Sequence, residues 1–229
     1  MRTLQRSVLA LGMILLVGSL ALGQRFGFGG GGGQAGPNLL SNKSVQEELK
    51  LTAEQKEKIG GILKELGEKQ RAVFAELKEQ GVDFREMFQK GAEKMKPHTA
   101  EARKAIAPIL QAEQAKRFRQ IELQRMGVAA FDEADVQAAL KLSDEKKAEI
   151  KTLRTDMEKD MQEVFRELKG GDFKEIGTKT AAITKETMDK VRGLLSAEQK
   201  ASYQQLVGER FEYKPDTGDF KGKFRKKDK

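Results

Sequence analysis

Residues Val45-Gln-Glu-Glu-Leu-Lys-Leu-Thr-Ala-Glu-Gln-Lys-Glu-Lys-Ile59 recur 91 positions later as Val136-Gln-Ala-Ala-Leu-Lys-Leu-Ser-Asp-Glu-Lys-Lys-Ala-Glu-Ile150, with eight of fifteen residues identical. Unrelated sequences of ordinary composition share roughly one residue in such a window. Further repeated segments follow downstream, and the number of residues between a segment and its copy, the shift, falls from 91 to 89 and then to 85. The chain therefore consists of two copies of one unit, the second shortened in its loops. This duplication predicts two similar lobes in a pseudo-twofold, pseudo-dimeric monomer.

The spacing of apolar residues predicts helices throughout both copies. In the second copy the apolar positions are spaced by three or four residues, namely Ile150, Leu153, Met157, Met161, Val164 and Leu168. Such spacing places them on one face of a long helix. The first copy repeats the stripe from Ile59 to Leu77, with Gln70 interrupting it. No stretch shows sustained alternation with period two and enrichment in β-branched residues, so strands are not expected. We predict an all-α fold made of two tandem helical hairpins with long amphipathic helices.

Each copy is expected to contain a short helix, a long helix, a middle helix and a final helix. Thr52-Ala-Glu-Gln55 and Ser196-Ala-Glu-Gln199 fit a capping box, which starts a helix by reciprocal hydrogen bonds between the first and fourth residues. The final helices are expected to bury apolar residues on one side, namely Phe118, Ile121 and Met126 in the first copy and Tyr203, Leu206, Val207 and Phe211 in the second.

Composition shifts divide the chain into five segments. Residues 1–23 have the charged start, apolar stretch and small-residue end of a signal peptide, so we expect an exported protein of the periplasm or cell exterior. An uncleaved N-terminal anchor remains the alternative. Residues 24–44 are expected to form a glycine-rich flexible tether, 45–127 and 128–214 the two helical repeats, and 215–229 a basic disordered tail. The chain contains no cysteine, so no disulfide supports it.

The net charge of +8 is concentrated at the two ends of the chain. Arg2 and Arg6 account for two charges and residues 221–229 for a net five, which leaves about +1 for residues 24–220. A nearly neutral body argues against nucleic acid as its partner. The tail interleaves Phe220 and Phe224 with cations, which suits contact with an anionic surface, although a merely solubilising end is the alternative.

Catalysis, cofactors and metals have little support in the sequence. The single histidine, His98, follows Pro97 in what looks like a loop, and no cysteine is present to accompany it. The carboxylates are scattered beside Lys and Arg at helical spacing, which is typical of solvated faces. The eight methionines are dispersed. We therefore expect a non-enzymatic protein without a cofactor or metal site.

The capping sequences carry a family resemblance. Leu51-Thr-Ala-Glu-Gln55 and Leu195-Ser-Ala-Glu-Gln199 resemble the LTxxQ motif of the Spy/CpxP family of periplasmic proteins. Leu142-Ser-Asp-Glu-Lys146 and Leu110-Gln-Ala-Glu-Gln114 are similar but depart from it at Lys146 and Gln111, where each loses half of the capping box. The resemblance implies long helices in a cradle-shaped antiparallel dimer, here fused into one chain over about 45–214. The capping-motif residues, expected to be structural, are Leu51, Thr52, Gln55, Leu142, Ser143, Leu195, Ser196 and Gln199.

The middle helices offer the candidate binding surface. Their apolar residues include flexible methionines and phenylalanines, which adapt to many apolar partners. The candidate client-binding residues are Phe84, Met87, Phe88, Met95, Phe173, Ile176, Ile183 and Met188. The alternative is that they fill the core between helices.

With the resemblance, this surface suggests an ATP-independent holdase or stress-accessory protein that binds unfolded or partly folded envelope proteins. A regulatory module that docks on an envelope stress sensor and a helical spacer of the envelope remain alternatives. A metal sensor or metal-resistance protein is disfavoured, because the ligands that such a site needs are missing.

Overall fold

The protein, described by a computed structural model over residues 36–167 and 173–216, is all-α, as predicted. Within these residues there is no strand. The α-helices in chain order are α1 (Lys43–Glu48), α2 (Ala53–Glu79), α3 (Phe84–Ile106), α4 (Ala112–Met126), α5 (Ala134–Ala139), α6 (Asp144–Glu167), α7 (Phe173–Leu194) and α8 (Ala197–Val207). Short 3₁₀ helices span Gly36–Ser41, Ala107–Ile109 and Gly127–Asp132.

The long helices pack in two pairs, which we call the first arm (α2 and α3) and the second arm (α6 and α7). In α2, the buried residues Ile59, Leu66 and Val73 recur every seven positions and line the seam with α3. The turn after α2 needs a left-handed residue, which Gly81 supplies with φ of +66°. At 1.5 Å per residue, α2 is about 40 Å long. Each arm is therefore a slender, two-helix projection.

The remaining elements form a shared base in which α4 packs against α8. The first core of the base comprises Leu39, Leu40, Val45, Leu49, Leu51, Ile59, Ile106, Phe118 and Ile121. The second comprises Leu123, Val128, Ala130, Phe131, Val136, Leu140, Leu142, Ile150, Val191, Leu195, Tyr203 and Val207. Helix α4 contributes to both cores, because Phe118 and Ile121 enter the first and Leu123 enters the second. This sharing connects the two arms through one helix.

A buried carboxylate strengthens this connection. The side chain of Glu122 on α4 is 1% exposed and meets Arg103 of α3 at 2.8 and 3.0 Å. Arg119 lies 3.6 Å from the same carboxylate and also binds Glu133 at 2.9 Å and Asp135 at 2.7 Å. Burial acts to lower the pKa of Arg119, but the hydrogen bonds and charges of Asp135 and Glu133 outweigh it and raise that pKa. The chain of ion pairs joins α3, α4 and the start of α5.

The same hydrogen bonds occur at positions 91 residues apart. Gln46 Nε2 donates to the Leu40 carbonyl at 2.8 Å, and Gln137 Nε2 donates to the Phe131 carbonyl at 2.9 Å. Lys50 and its counterpart Lys141 both have positive φ, of 50° and 48°. The structural similarity of the two copies therefore begins before residue 45, at the 3₁₀ helices that start with Gly36 and Gly127.

The expected tether over residues 24–44 is therefore wrong from residue 36 onward. Leu39 and Leu40 are 2% and 0% exposed, so burial of their side chains fixes this segment in the base despite its glycine-rich prefix. Residues 24–35 lie outside the described residues.

Three smaller expectations are also corrected. His98 lies inside α3 and not in a loop, because the helix continues through Pro97, with Ala102 and Ile106 buried beyond it. Phe211 is outside the final helix, since α8 ends at Val207 and Gly208 turns the chain with φ of 62°. Residues 208–216 then run without helix across the first copy, and we call them the strap. The strap includes 215 and 216, which were expected to be disordered.

None of the helices in the described ranges combines the length and apolar character that a membrane span needs.

Candidate functional site

The capping-motif residues of the first copy meet at the base of the first arm. Thr52 Oγ1 accepts from the Gln55 N–H at 3.2 Å, and Gln55 Oε1 accepts from the Thr52 N–H at 3.0 Å. The Gln55 amide also donates to Gln114 Oε1 at 2.8 Å and to the Ile109 carbonyl at 2.7 Å. Gln114 donates in return to Gln55 Oε1 at 3.2 Å and to the Leu49 carbonyl at 3.0 Å. The two glutamines thus bind the starts of α2 and α4 together.

The second copy repeats this arrangement with two changes, Ser196 in place of Gln111 and Lys146 in place of Gln55. Ser196 and Gln199 form the complete capping box at 3.2 and 3.0 Å, and Gln199 Nε2 donates to the Leu140 carbonyl at 3.0 Å. Lys146 replaces the partner glutamine and donates its Nζ to Gln199 Oε1 at 3.0 Å. The Lys146 N–H is capped by Ser143 Oγ at 3.3 Å, but an ammonium group cannot accept the reciprocal bond.

These contacts account for the motif without any reactive role. Leu51, Leu142 and Leu195 are 6%, 6% and 4% exposed and belong to the two cores. In the first copy, Gln111 also starts its helix by half a box, because its N–H donates to Gln114 Oε1 at 2.9 Å. The motif residues position the starts of α2, α4, α6 and α8 and satisfy N–H groups in their first turns.

The candidate client-binding residues whose side chains are described belong to α3 and α7, and they are covered to different degrees. Ile176 is 5% exposed, whereas Met87, Met95, Ile183 and Met188 are half-buried. Met188 packs against the second core. The side chains of Phe84, Phe88 and Phe173 lie outside what the structure describes. The described members are therefore partly covered by their own arm and partly open at its edges.

The most exposed large apolar side chain that the structure describes was not singled out by the sequence. Phe165 of α6 is 42% exposed, and it is the only exposed large hydrophobic residue among those whose side chains the structure describes. Met161 and Met157, one and two turns before it, are half-buried on the same face of α6. We call Met157, Met161 and Phe165 the second-arm edge. In the sequence, Val164-Phe165 repeats Val73-Phe74 at a separation of 91 residues, but this repeat carries no information on exposure.

Charged pairs surround the second-arm edge. Arg166 binds Glu163 at 3.2 Å and Lys159 binds Asp156 at 3.1 Å, both on the exposed side of α6. On α7, Lys190 binds Glu186 at 2.8 Å and lowers the pKa of that carboxyl through a hydrogen bond and its charge. These ion pairs keep the arm soluble while they frame a narrow apolar strip.

In the described parts of the arms, the carboxyls whose pKa is shifted are all more acidic than usual. Lysine partners lower the pKa values of Glu54, Glu76, Glu101, Glu186 and Asp189, chiefly by hydrogen bonds. A general acid at neutral pH needs the opposite shift. These groups therefore stay ionised and act as partners of neighbouring lysines.

The cleft that contains His98 is small. It lies between α2 and α3 and has a volume of about 110 Å³, well below the roughly 300 Å³ at which small-molecule sites begin. His98 Nδ1 stands 3.7 Å from Glu101 Oε2, and Lys69 Nζ binds the same carboxylate at 2.9 Å. Across residues 36–167 and 173–216, no group of three or more metal-binding side chains comes together.

Comparison with known proteins gives a plain result. No family model, curated protein or solved structure matches this chain.

Proposed function

We propose that this protein is an exported, ATP-independent holdase that binds non-native proteins along the edges of its two arms. The observation that carries the proposal is the second-arm edge, where two half-buried methionines lead to the 42% exposed Phe165 on a charged, two-helix projection. The resemblance of the capping sequences to the Spy/CpxP motif supports the same class of function.

The thickness of the arms favours transient binding. A two-helix arm covers its apolar residues from one side only, so Met87, Met95 and Ile183 remain half-buried instead of enclosed. A client segment that covers about 300 Å² of such surface gains about 7 kcal/mol before the cost of ordering both partners. Weak, reversible association follows, since no deep pocket holds the client.

The side-chain chemistry of the edge favours many clients over one. Methionine is unbranched and adapts to different shapes, and the aromatic ring of Phe165 adds a large apolar contact. The surrounding ion pairs carry both signs of charge and select neither acidic nor basic clients. A regulatory module with a single cognate partner would instead benefit from a shaped and charge-complementary site.

Aggregation of a client protein tests the proposal. The chain from Gln24 onward keeps every described residue, and at stoichiometric excess it should suppress light scattering by a heat- or reductant-destabilised client. Phe165→Ser should weaken this suppression severalfold, whereas Gln162→Ser, at an exposed polar position on the same helix, should not. Unchanged scattering with the wild-type chain would count decisively against the proposal.

A further inference from the structure

A cavity of about 200 Å³ lies in the base, between the end of α4 and the strap. The described residues that line it are Gln124, Arg125, Arg210, Phe211 and Tyr213. None of them belongs to an arm or to a capping motif, so the proposed function leaves this cavity unused. Its lining includes two arginines and, among the described residues, no carboxylate. A concave site with this charge attracts anions, and we call it the arginine cavity.

Hydrogen bonds of Gln124 fix the strap beside the arginine cavity. Its Nε2 donates to the Val207 and Glu209 carbonyls at 2.6 and 2.7 Å, and its Oε1 accepts from the Phe211 N–H at 2.8 Å. Arg210 lies between Glu209 and Phe211, so the backbone that carries its side chain is fixed on both sides.

The aromatic walls of the cavity are fixed as well. Phe211 and Tyr213 pack against the first core. Directly after Tyr213, the Lys214 carbonyl accepts from Asn42 Nδ2 at 2.9 Å, and the Lys214 N–H donates to Ser44 Oγ at 3.2 Å. Asn42 is itself 4% exposed, so this part of the strap is attached to the packed base. The cavity is therefore formed before any ligand arrives.

Arg125 brings a half-buried positive charge to the cavity. Its guanidinium lies 4.2 Å from the centre of the Tyr213 ring. Burial lowers the pKa of Arg125, and the charge of Tyr213 opposes this effect only in part. An anion nearby stabilises the charged form that burial disfavours. Because the electric field is screened less in a partly dry place, this arginine gains more from an anion than a solvated one does.

Arg210 brings a second, exposed guanidinium from the strap. Glu209 and Glu212 flank it in the sequence, but both are exposed and neither is among the residues that line the cavity. The positive charge of the cavity is therefore not offset by a carboxylate in its described lining.

The two arginines occupy equivalent places in the two copies. By the shift of 85 residues that relates the final segments, Arg125 corresponds to Arg210. Helix α4 continues to Met126, whereas α8 ends at Val207 and Gly208 turns the chain, so the arginine of the second copy lies on the strap. Each copy thus contributes one arginine to a cavity at which the two copies meet.

We propose that the arginine cavity binds a small, doubly charged oxyanion, which is inorganic phosphate or the phosphate or sulfate group of a small molecule, between Arg125 and Arg210. A guanidinium presents its N–H groups as a planar fork that matches the oxygens of such an anion, and two forks match two negative charges. The cavity is smaller than the roughly 300 Å³ at which sites for whole drug-sized molecules begin, so it holds the anionic group alone. The bound anion ties the strap to α4, and this role does not depend on holdase activity.

Calorimetric titration with inorganic phosphate tests the site. The chain from Gln24 onward should bind one phosphate in a saturable way when ionic strength is held constant with potassium chloride. Acetate has a shape that also fits a guanidinium but carries a single charge, so it should bind more weakly than phosphate. Absence of saturable phosphate binding, or equal binding of acetate, would overturn the proposal.

A matched pair of variants assigns the binding to the cavity. Arg210→Gln should weaken phosphate binding at least tenfold, because it removes charge-assisted hydrogen bonds, and its exposed side chain is not part of either core. Arg225→Gln removes the same charge from the basic C-terminal segment and should leave the affinity within about twofold. Equal losses in the two variants would show that phosphate responds only to net charge and would overturn the assignment. Arg125→Gln, checked for wild-type helical content, should also lose at least tenfold.

Amide hydrogen exchange locates the bound anion. The Phe211 N–H, which donates to Gln124 Oε1, should exchange more slowly in phosphate than in chloride of equal ionic strength, because the anion holds the strap against α4. Arg210→Gln should abolish this difference. Amides of α6, which contributes no residue to the cavity lining, should exchange equally in both salts. Unchanged exchange at Phe211 under saturating phosphate would contradict a site at the strap.

Discussion

The ring of Phe74 in α2 lies directly against Gly91 in α3, so close that a Cβ on Gly91 would stand 3.0 Å from Phe74 Cζ. Phe165 occupies the equivalent place in the second arm, 91 residues later, and is 42% exposed. By the shift of 89 residues, Gly91 corresponds to Thr180, whose Oγ1 donates to the Ile176 carbonyl at 2.9 Å. A glycine admits the aromatic ring in the first arm, and a residue with a Cβ stands in its place in the second.

Gly91→Thr should therefore displace the Phe74 ring outward and give the first arm an exposed aromatic edge. We expect client suppression per molecule to rise by up to about twofold, at a stability cost of about 1–2 kcal/mol from the crowded seam. The light-scattering assay and a urea titration measure the two effects. Gly61→Thr is the matched control, because a Cβ there meets no atom within 4 Å. Equal suppression by both variants would argue against an arm-edge binding site.

Lys146→Gln should stabilise the protein. A glutamine at 146 can accept from the Ser143 N–H and pair with Gln199, as Gln55 does with Thr52 and Gln114. Completing a capping box contributes about 0.5–1 kcal/mol, which is a rise of a few degrees in Tm. Lys147→Gln, which breaks only an exposed pair with Asp144, serves as the control. A fall in Tm for Lys146→Gln alone would mean that the Lys146 ammonium is the better partner.

The helices could be predicted because their signals are local. Thr52, Ser196 and the seven-residue spacing of Ile59, Leu66 and Val73 each act within one or two turns, and all appear in the structure as expected. Local patterns do not reveal exposure at an arm edge, which depends on the facing residue, as Gly91 shows.

Long-range contacts were missed for the same reason. Leu39 and Leu40 follow a glycine-rich stretch, and their burial depends on elements that fold around them. The strap joins Lys214 to Asn42, 172 residues away, because the Asn42 side chain donates to the Lys214 carbonyl, a backbone group that carries no sequence signature. In the sequence, Glu122 does not differ from the other carboxylates at helical spacing. It becomes buried only where the base packs around it.

Glu122→Gln should destabilise the base by about 2 kcal/mol, because it leaves Arg103 without its charged partner beside the core. The loss is moderated by Arg103, whose side chain is 40% exposed and can reach water. The midpoint of urea unfolding, followed by circular dichroism, measures the change. Glu101→Gln breaks an exposed pair with Lys69 and should alter stability by less than about 0.5 kcal/mol. Comparable losses in the two variants would show that burial of Glu122 has no special weight.

The free energy of unfolding should fall in acid, because protonation of Asp135 weakens its ion pair with Arg119. Burial acts to raise the pKa of Asp135, but the hydrogen bonds and charge of Arg119 outweigh it and hold that pKa below its usual value. A carboxyl with a lower pKa in the folded state stabilises the fold above its ordinary pKa, and this stabilisation disappears as the pH falls through the folded value. The affected window therefore lies below about pH 4.

In urea titrations at a series of pH values, Asp135→Asn should reduce the loss of stability in acid. The effect should shrink in high salt, because the carboxylate is largely exposed. Arg119→Gln should reduce this loss of stability at least as much, since it removes the partner of the same carboxyl. If the loss of stability in acid is unchanged in both variants, this pair is not its source.

Site-specific photocrosslinking provides the most direct test of binding at the arm edge. A photoreactive residue in place of Phe165 should capture a destabilised client during aggregation, as should one in place of Met161, whereas one in place of Thr152 or Thr155, exposed positions elsewhere on α6, should capture little. Equal capture at all four positions, or none at 165, would contradict the account in which the second-arm edge holds the client.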